Sequence, residues 1–151
     1  MGMRHFDLVI IGTGSGNSIL DDRFAGWDVA LVERGRFGGT CLNVGCIPSK
    51  MFVYTAETAA TAAIAGRFGI DATLDGARWP DIRDRVFGRI DPIAASGRDY
   101  RVGHDDNRHV TVYQGDAVFA GHKQLIITPN DGGEPEIITA DQIVLAAGGA
   151  R

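Results

Sequence analysis

Phe6-Asp7-Leu8-Val9-Ile10-Ile11-Gly12-Thr13-Gly14-Ser15-Gly16-Asn17 starts as an apolar, β-branched run and stops in a glycine turn. Such a run predicts a strand buried on both faces, as in a parallel sheet. Ser18 to Ala25 then reads as a short helix with Gly26 as its stop. Val29-Ala30-Leu31-Val32 is a second strand, closed by Glu33. Strand, glycine turn, helix, strand and acid together point to dinucleotide binding. Gly12 allows the tight turn, Gly14 lets backbone approach a pyrophosphate, and the helix start offers free N–H groups to that anion. Glu33, about twenty residues beyond Gly12, is placed to accept hydrogen bonds from ribose hydroxyls. One position departs from the G-x-G-x-x-G pattern: Asn17 replaces the third glycine, directly after Gly16. That glycine serves close helix–strand packing, so Asn17 implies a looser crossing or a polar contact. The competing interpretation is a glycine-rich βα turn in some other α/β domain.

The 151 residues are enough for one domain with a real core. With 44% hydrophobic and 23% charged residues the chain is globular rather than disordered. The 21 glycines show no collagen-like period and cluster at expected turns. A net charge of -4 argues against nucleic acid, which wants a basic stripe. No apolar run is long enough to cross a bilayer, and no basic-then-apolar leader opens the chain. The expectation is a cytoplasmic protein without nucleic acid or membrane partners. In that reducing compartment a close cysteine pair is catalytic or metal-binding rather than structural.

Gly38-Gly39-Thr40-Cys41-Leu42-Asn43-Val44-Gly45-Cys46-Ile47-Pro48-Ser49-Lys50 holds the only two cysteines, with four residues between them. A zinc site would add a second cysteine pair or spaced histidines. His5, His104, His109 and His122 are scattered, so no metal site is expected. A thioredoxin-like motif would have two intervening residues rather than four. A redox pair and an inert pair of buried thiols remain. Gly45 makes the bend between the cysteines accessible, and an Ala-rich segment from Pro48 to Ala65, ended by Gly66, predicts a long helix. The pair therefore lies where a helix begins, which suits a lowered thiol pKa.

With those residues in view, the chain resembles the flavin-dependent pyridine nucleotide–disulfide oxidoreductases, whose active-site signature matches Gly38–Lys50 nearly residue for residue. Two other stretches, Gly12–Ser18 and Arg85-Val86-Phe87-Gly88-Arg89-Ile90-Asp91-Pro92-Ile93, are most similar to the mycothione reductase branch of that family. Dihydrolipoamide dehydrogenases and mercuric reductases are the alternative branches. The resemblance implies a Rossmann-like FAD-binding domain, a parallel sheet with helices on both faces and an inserted antiparallel meander. It implies a relay from NADPH through FAD to a Cys41–Cys46 disulfide and then to a small-molecule disulfide, mycothione in that branch, in the service of cell redox homeostasis. By motif position Cys46 is the thiol nearest the flavin and Cys41 the interchange thiol. The FAD contacts implied are Gly12, Gly14, Ser15, Gly16, Asn17, Glu33, Arg34, Gly39, Thr40, Cys41, Lys50, Ala117, Ala147 and Gly148. Lys50 would hold its charge near the flavin ring, although a solvent-exposed helix lysine is the plainer interpretation. Ala147 stands where the family usually has Thr, which removes one hydrogen bond.

Beyond the signature, Ile70–Gly76 reads as a loop or short edge. Pro80 suits a first helical turn, and Ile82, Val86, Ile90 and Ile93 form an amphipathic stripe that Pro92 should kink or end. Val110–Tyr113, Gln114–Ala120, Gln124–Thr128 and Glu136–Thr139 read as short strands of a meander, and Gln142–Gly148 as another buried strand. No second glycine fingerprint follows, and the family's nicotinamide and dimerisation domains are not found in residues 1–151. The resemblance thus implies an N-terminal part of a homodimeric enzyme, expected to turn over little by itself. A flavin-binding remnant without catalysis is the non-enzymatic alternative.

Overall fold

The computed structural model describes residues 3–149; Met1, Gly2, Ala150 and Arg151, the ends of the expected 1–151 unit, lie outside the described residues. Five strands form one closed sheet in the order β1 (Arg4–Ile11), β2 (Val29–Glu33), β3 (Val110–Gly121), β4 (Gln124–Pro129), β5 (Glu136–Leu145). β1 pairs in parallel with β2 on one side and β5 on the other, through Ile10↔Leu31 and Ile10↔Val144. β2 pairs in parallel with the first part of β3, up to Glu33↔Gln114. From Gly115 onward β3 turns to antiparallel pairing with β4, which pairs antiparallel with the start of β5. A Cβ on Gly115 would lie 2.3 Å from the Thr128 carbonyl oxygen, so the changeover needs a residue without a side chain.

The mixed sheet corrects the expected layering in two ways. The runs read as Val110–Tyr113 and Gln114–Ala120 are one 12-residue strand, and Glu136–Thr139 and the start of Gln142–Gly148 are one 10-residue strand, which ends at an exposed Leu145 instead of continuing as a buried run to Gly148. Because β3 and β5 each run through both layers, the inserted antiparallel meander is continuous with the parallel strands. It covers one face of the parallel strands, where the expected arrangement put a helix. Phe6, Val9, Ala30 and Val32 meet Leu125, Ile127, Ile138 and Ala140 there, all buried. Each fully buried Phe, Leu, Ile or Val among them contributes about 1.5–3 kcal/mol. The other face, with Leu8, Ile10, Val29, Leu31 and Val110, packs under Leu20 and Phe37.

The helix expected over Ser18–Ala25 is not an α-helix. Two single 3-10 turns, Ser15–Ile19 and Asp22–Phe24, are separated by the extended Leu20. Asp21 accepts a hydrogen bond from the Arg23 amide (3.0 Å), which starts a new turn instead of continuing the first.

Three α-helices follow: α1 (Gly39–Asn43), α2 (Cys46–Ile64) and α3 (Trp79–Gly103). α2 runs on into a 3-10 turn, Ala65–Phe68, and the left-handed stop is Gly69 (φ 74°) rather than Gly66. Residues 70–78 form no regular element. Pro80 lies in the first turn of α3, as expected, but Pro92 does not end that helix. Proline forfeits the bond to the Gly88 carbonyl one turn back, while Val86, Ile90 and Ala94 stay buried on either side and hold the helix together. Ala94 takes the stripe position expected of Ile93, which is 48% exposed, because the buried row advances by four residues at each step. Among the described residues no helix is long and apolar enough to cross a membrane.

Candidate functional site

The glycine turn leaves β1 at Ile11 and passes under the end of β5. Gly12 has φ 107°, and a Cβ there would lie 2.2 Å from the Ala146 carbonyl oxygen. A Cβ on Gly16 would come within 2.2 Å of the Ala146 Cβ. The close approach expected of the third glycine position is therefore made one residue earlier, by Gly16. The polar contact at Asn17 is made by its backbone rather than by its side chain. Its carbonyl accepts from Arg101 Nη2 (3.2 Å). Its side-chain Oδ1 is buried with no donor among the described residues.

The cysteine stretch lies directly on this turn. Gly38 (φ 97°) and Gly39 (φ 61°) are both left-handed, which brings the start of α1 against the turn backbone. A Cβ on Gly39 would be 2.6 Å from Gly14 Cα, so the two glycines touch backbone to backbone. Cys41 lies in the five-residue α1, and Cys46 is the first residue of the 19-residue α2. Gly45 joins them; its Cβ would meet the Thr40 carbonyl at 2.9 Å and Cys41 Cα at 3.3 Å. This close packing places Cys46 beside Cys41. Both thiols are free and exposed.

Asn43 holds this hairpin. It is buried, and its Nδ2 donates to the carbonyls of Phe37 (2.9 Å) and Gly39 (3.0 Å). Two carbonyl acceptors also settle which way the amide points. Asn43 and Ala146 were not singled out by sequence reasoning. Asn43 stands inside the signature between the cysteines, and Ala146 among the small residues ending a strand, yet only the packing shows what each contacts.

The expected lowering of the thiol pKa does not hold for Cys41. Its hydrogen bond to the Cys46 thiol raises it, with smaller contributions in the same direction from desolvation and the neighbouring sulfur's charge. Substituting Cys46→Ala removes that hydrogen bond, and the iodoacetamide alkylation profile of Cys41 is expected to shift to lower pH. A profile unchanged or shifted upward would show that Cys46 does not raise Cys41.

Glu33 already has protein partners. One carboxylate oxygen accepts from the Thr13 amide (2.9 Å) and hydroxyl (2.6 Å), the other from the Gly35 amide (2.7 Å). It ties the turn to the end of β2, so a ligand hydroxyl would share a carboxylate that is already hydrogen-bonded. Arg34 forms an ion pair with Asp116 (3.5 Å), which brings the end of β2 beside Ala117. Ala117 itself packs partly into the sheet interior and pairs with Ile127. Ser15 is exposed on the turn, with its carbonyl accepting from Ser18 Oγ (2.6 Å). Ala147 and Gly148 are exposed beyond β5, and a Cβ on Gly148 would lie 3.6 Å from Thr40 Oγ1. Lys50 is exposed one turn beyond Cys46 on the same face of α2. Gly12, Gly14, Gly16, Gly39, Thr40 and Gly148 are thus brought together, with Arg34 and Ala117 forming a separate group at the β2–β3 end. Among the described residues no group of three metal-ligating side chains occurs.

This arrangement, a cysteine hairpin seated on a glycine turn, agrees with the family comparison. The model of the pyridine nucleotide-disulphide oxidoreductases matches residues 6–151. The chain belongs to that family. It is 54% identical over 150 residues to mycothione reductase of Mycobacterium tuberculosis, covering 97% of this chain and 31% of that protein. Mercuric reductase of Streptomyces lividans is 35% identical over 145 residues, covering 92% of this chain and 29% of the relative. Dihydrolipoyl dehydrogenase of Chlamydia muridarum is 34% identical over 145 residues, with 95% and 30% covered. The chain therefore spans about a third of the length of these relatives.

Proposed function

We propose that residues 1–151 are the Rossmann-like, FAD-binding and cysteine-bearing part of an NADPH-dependent disulfide reductase acting on mycothione. The observation that carries this reading is the contact of Gly14 with Gly39, which seats Cys41 and Cys46 on the dinucleotide turn. The greater identity to a mycothione reductase than to the mercuric and dihydrolipoyl enzymes supports the choice of substrate. A homodimeric, cytoplasmic whole enzyme belongs to the same proposal.

The residues suit FAD. Gly12 and Gly16 let the turn pack against Ala146, with the Gly12 amide donating to the Val32 carbonyl (2.8 Å), and a Cβ at Gly14 would meet nothing nearer than Gly39 at 3.5 Å, which leaves room for a ligand's approach there. Ser15, Asn17, Gly39, Thr40, Ala147 and Gly148 would line the dinucleotide, and Glu33, Arg34 and Ala117 its adenosine end. Bound at this turn and drawing on NADPH, FAD supplies the two-electron chemistry of the site. Lys50 places a cation beside that chemistry.

The chain's own thiols perform the exchange. The deprotonated sulfur of Cys41 attacks one sulfur of the substrate disulfide; that S–S bond breaks, a Cys41–substrate mixed disulfide forms, and the first thiolate leaves to take a proton. The Cys46 sulfur then attacks Cys41, releases the second thiolate and leaves a Cys41–Cys46 disulfide. The substrate gains two electrons and the cysteine pair loses two. The raised pKa of Cys41 means that the proton on it must pass to a base before the first attack.

The test is a parallel assay of the whole protein with NADPH and mycothione, lipoamide or mercuric ion. Mycothione is expected to have the highest kcat/KM, by about a hundredfold. Preference for lipoamide or mercuric ion would move the chain to another branch, and a purified protein without flavin would reduce it to a non-catalytic remnant. Residues 1–151 alone are expected to bind FAD without steady NADPH-dependent disulfide reduction. Sustained turnover by that polypeptide would overturn the division of labour proposed here.

A further inference from the structure

The glycine turn is followed by one 3-10 turn, five residues long, where dinucleotide folds ordinarily place a long helix. A long helix adds a positive dipole end to the phosphate site, and a single turn adds very little. The same place holds an unusual cation. Arg101 is partly buried near the end of α3 and donates to the Asn17 carbonyl (3.2 Å) and to Oδ1 of Asn107 (2.6 Å). Asn107 is itself buried and anchored to the Tyr100 carbonyl (3.0 Å). No carboxylate pairs with Arg101 among the described residues, and burial depresses its pKa. A partly buried charge without a counter-ion is costly unless an anion compensates it. The other arginine close to the dinucleotide residues, Arg34, has such a counter-ion in Asp116.

We propose that Arg101 is the positioning residue of the diphosphate site: it clamps the Gly12–Asn17 turn from α3 and supplies the positive charge that the shortened helix does not. The proposal rests on the FAD-binding reading above. Arg101 holds the backbone of residue 17 while Gly16 takes the close packing against Ala146.

The experiment measures binding of ADP, FAD and riboflavin to the whole protein and to its Arg101→Gln and Arg101→Lys variants, by flavin fluorescence and calorimetry, at low and high salt. Arg101→Gln is expected to weaken ADP and FAD about tenfold at low salt, with the difference shrinking at high salt and riboflavin unchanged. Arg101→Lys, which keeps the charge, is expected to recover most of the loss. Equal weakening of riboflavin, a salt-independent loss, or no rescue by lysine would make Arg101 a packing residue and overturn the proposal. Normal ADP and FAD binding by a folded Arg101→Gln protein would overturn it while leaving the FAD reading intact. Absence of FAD binding by the unsubstituted protein would remove both.

Discussion

Gly12→Ala is expected to destabilise the protein by about 3 kcal/mol and to lower its thermal midpoint by roughly 6–12 °C. The left-handed φ of 107° is already unfavourable for alanine. The new Cβ would also meet the Ala146 carbonyl oxygen at 2.2 Å and its carbon at 2.7 Å. Both atoms are backbone, and the Ala146 amide is bonded to the Ile11 carbonyl (2.8 Å), so neither strand end can yield without losing its register. Gly88→Ala is the internal control. A Cβ at Gly88 meets nothing within 4 Å, and alanine in the interior of α3 should stabilise by up to about 1 kcal/mol. Thermal unfolding followed by circular dichroism separates the two signs. A Gly12→Ala protein as stable as the parent would mean that the turn does not approach β5 as described.

The second large effect is at the cysteines. Cys46→Ser in the whole protein is expected to reduce catalytic disulfide reduction by at least about a thousandfold. It should nevertheless release one equivalent of thiol and retain the other half of the substrate as a mixed disulfide on Cys41, visible as an added mass. Cys41→Ser should lose turnover to the same extent but trap no such adduct. The asymmetry follows from the order of attack: without Cys46 nothing resolves the intermediate, and without Cys41 none forms. An adduct on Cys46 in the Cys41→Ser protein, with none on Cys41 in the reciprocal variant, would reverse the two roles.

The parts that sequence reasoning reached were those encoded by neighbours along the chain. The apolar run to Ile11, the glycines at 12 and 14, the strand before Glu33 and the cysteine signature are all local patterns. The long Ala-rich helix and the proline start of α3 were legible for the same reason. The strand boundaries in the second half were not. A residue pattern cannot show that β3 exchanges one partner for another at Gly115, because both halves have the same extended backbone. The helix expected after the glycine turn failed because Asp21 competes locally as a cap, an effect larger than the weak helical preference of the segment. Pro92 was read by its usual effect, and the burial of Ile90 and Ala94 outweighed it.

By itself, the sequence determined that two thiols stand with four residues between them in a glycine-rich bend after a strand–turn–strand–acid unit. Spacing and turn chemistry suffice for that, since they depend on covalent geometry and residues close together. Only the tertiary structure decided that the meander closes the sheet over one face, that Gly16 rather than position 17 takes the tight packing, and that Gly14 touches Gly39. The same holds for Arg101 at the Asn17 carbonyl, across 84 positions of chain. Contacts at that separation form only when the sheet has brought its strand ends together, so the physics that places the cysteines on the glycine turn is the packing of backbone against backbone.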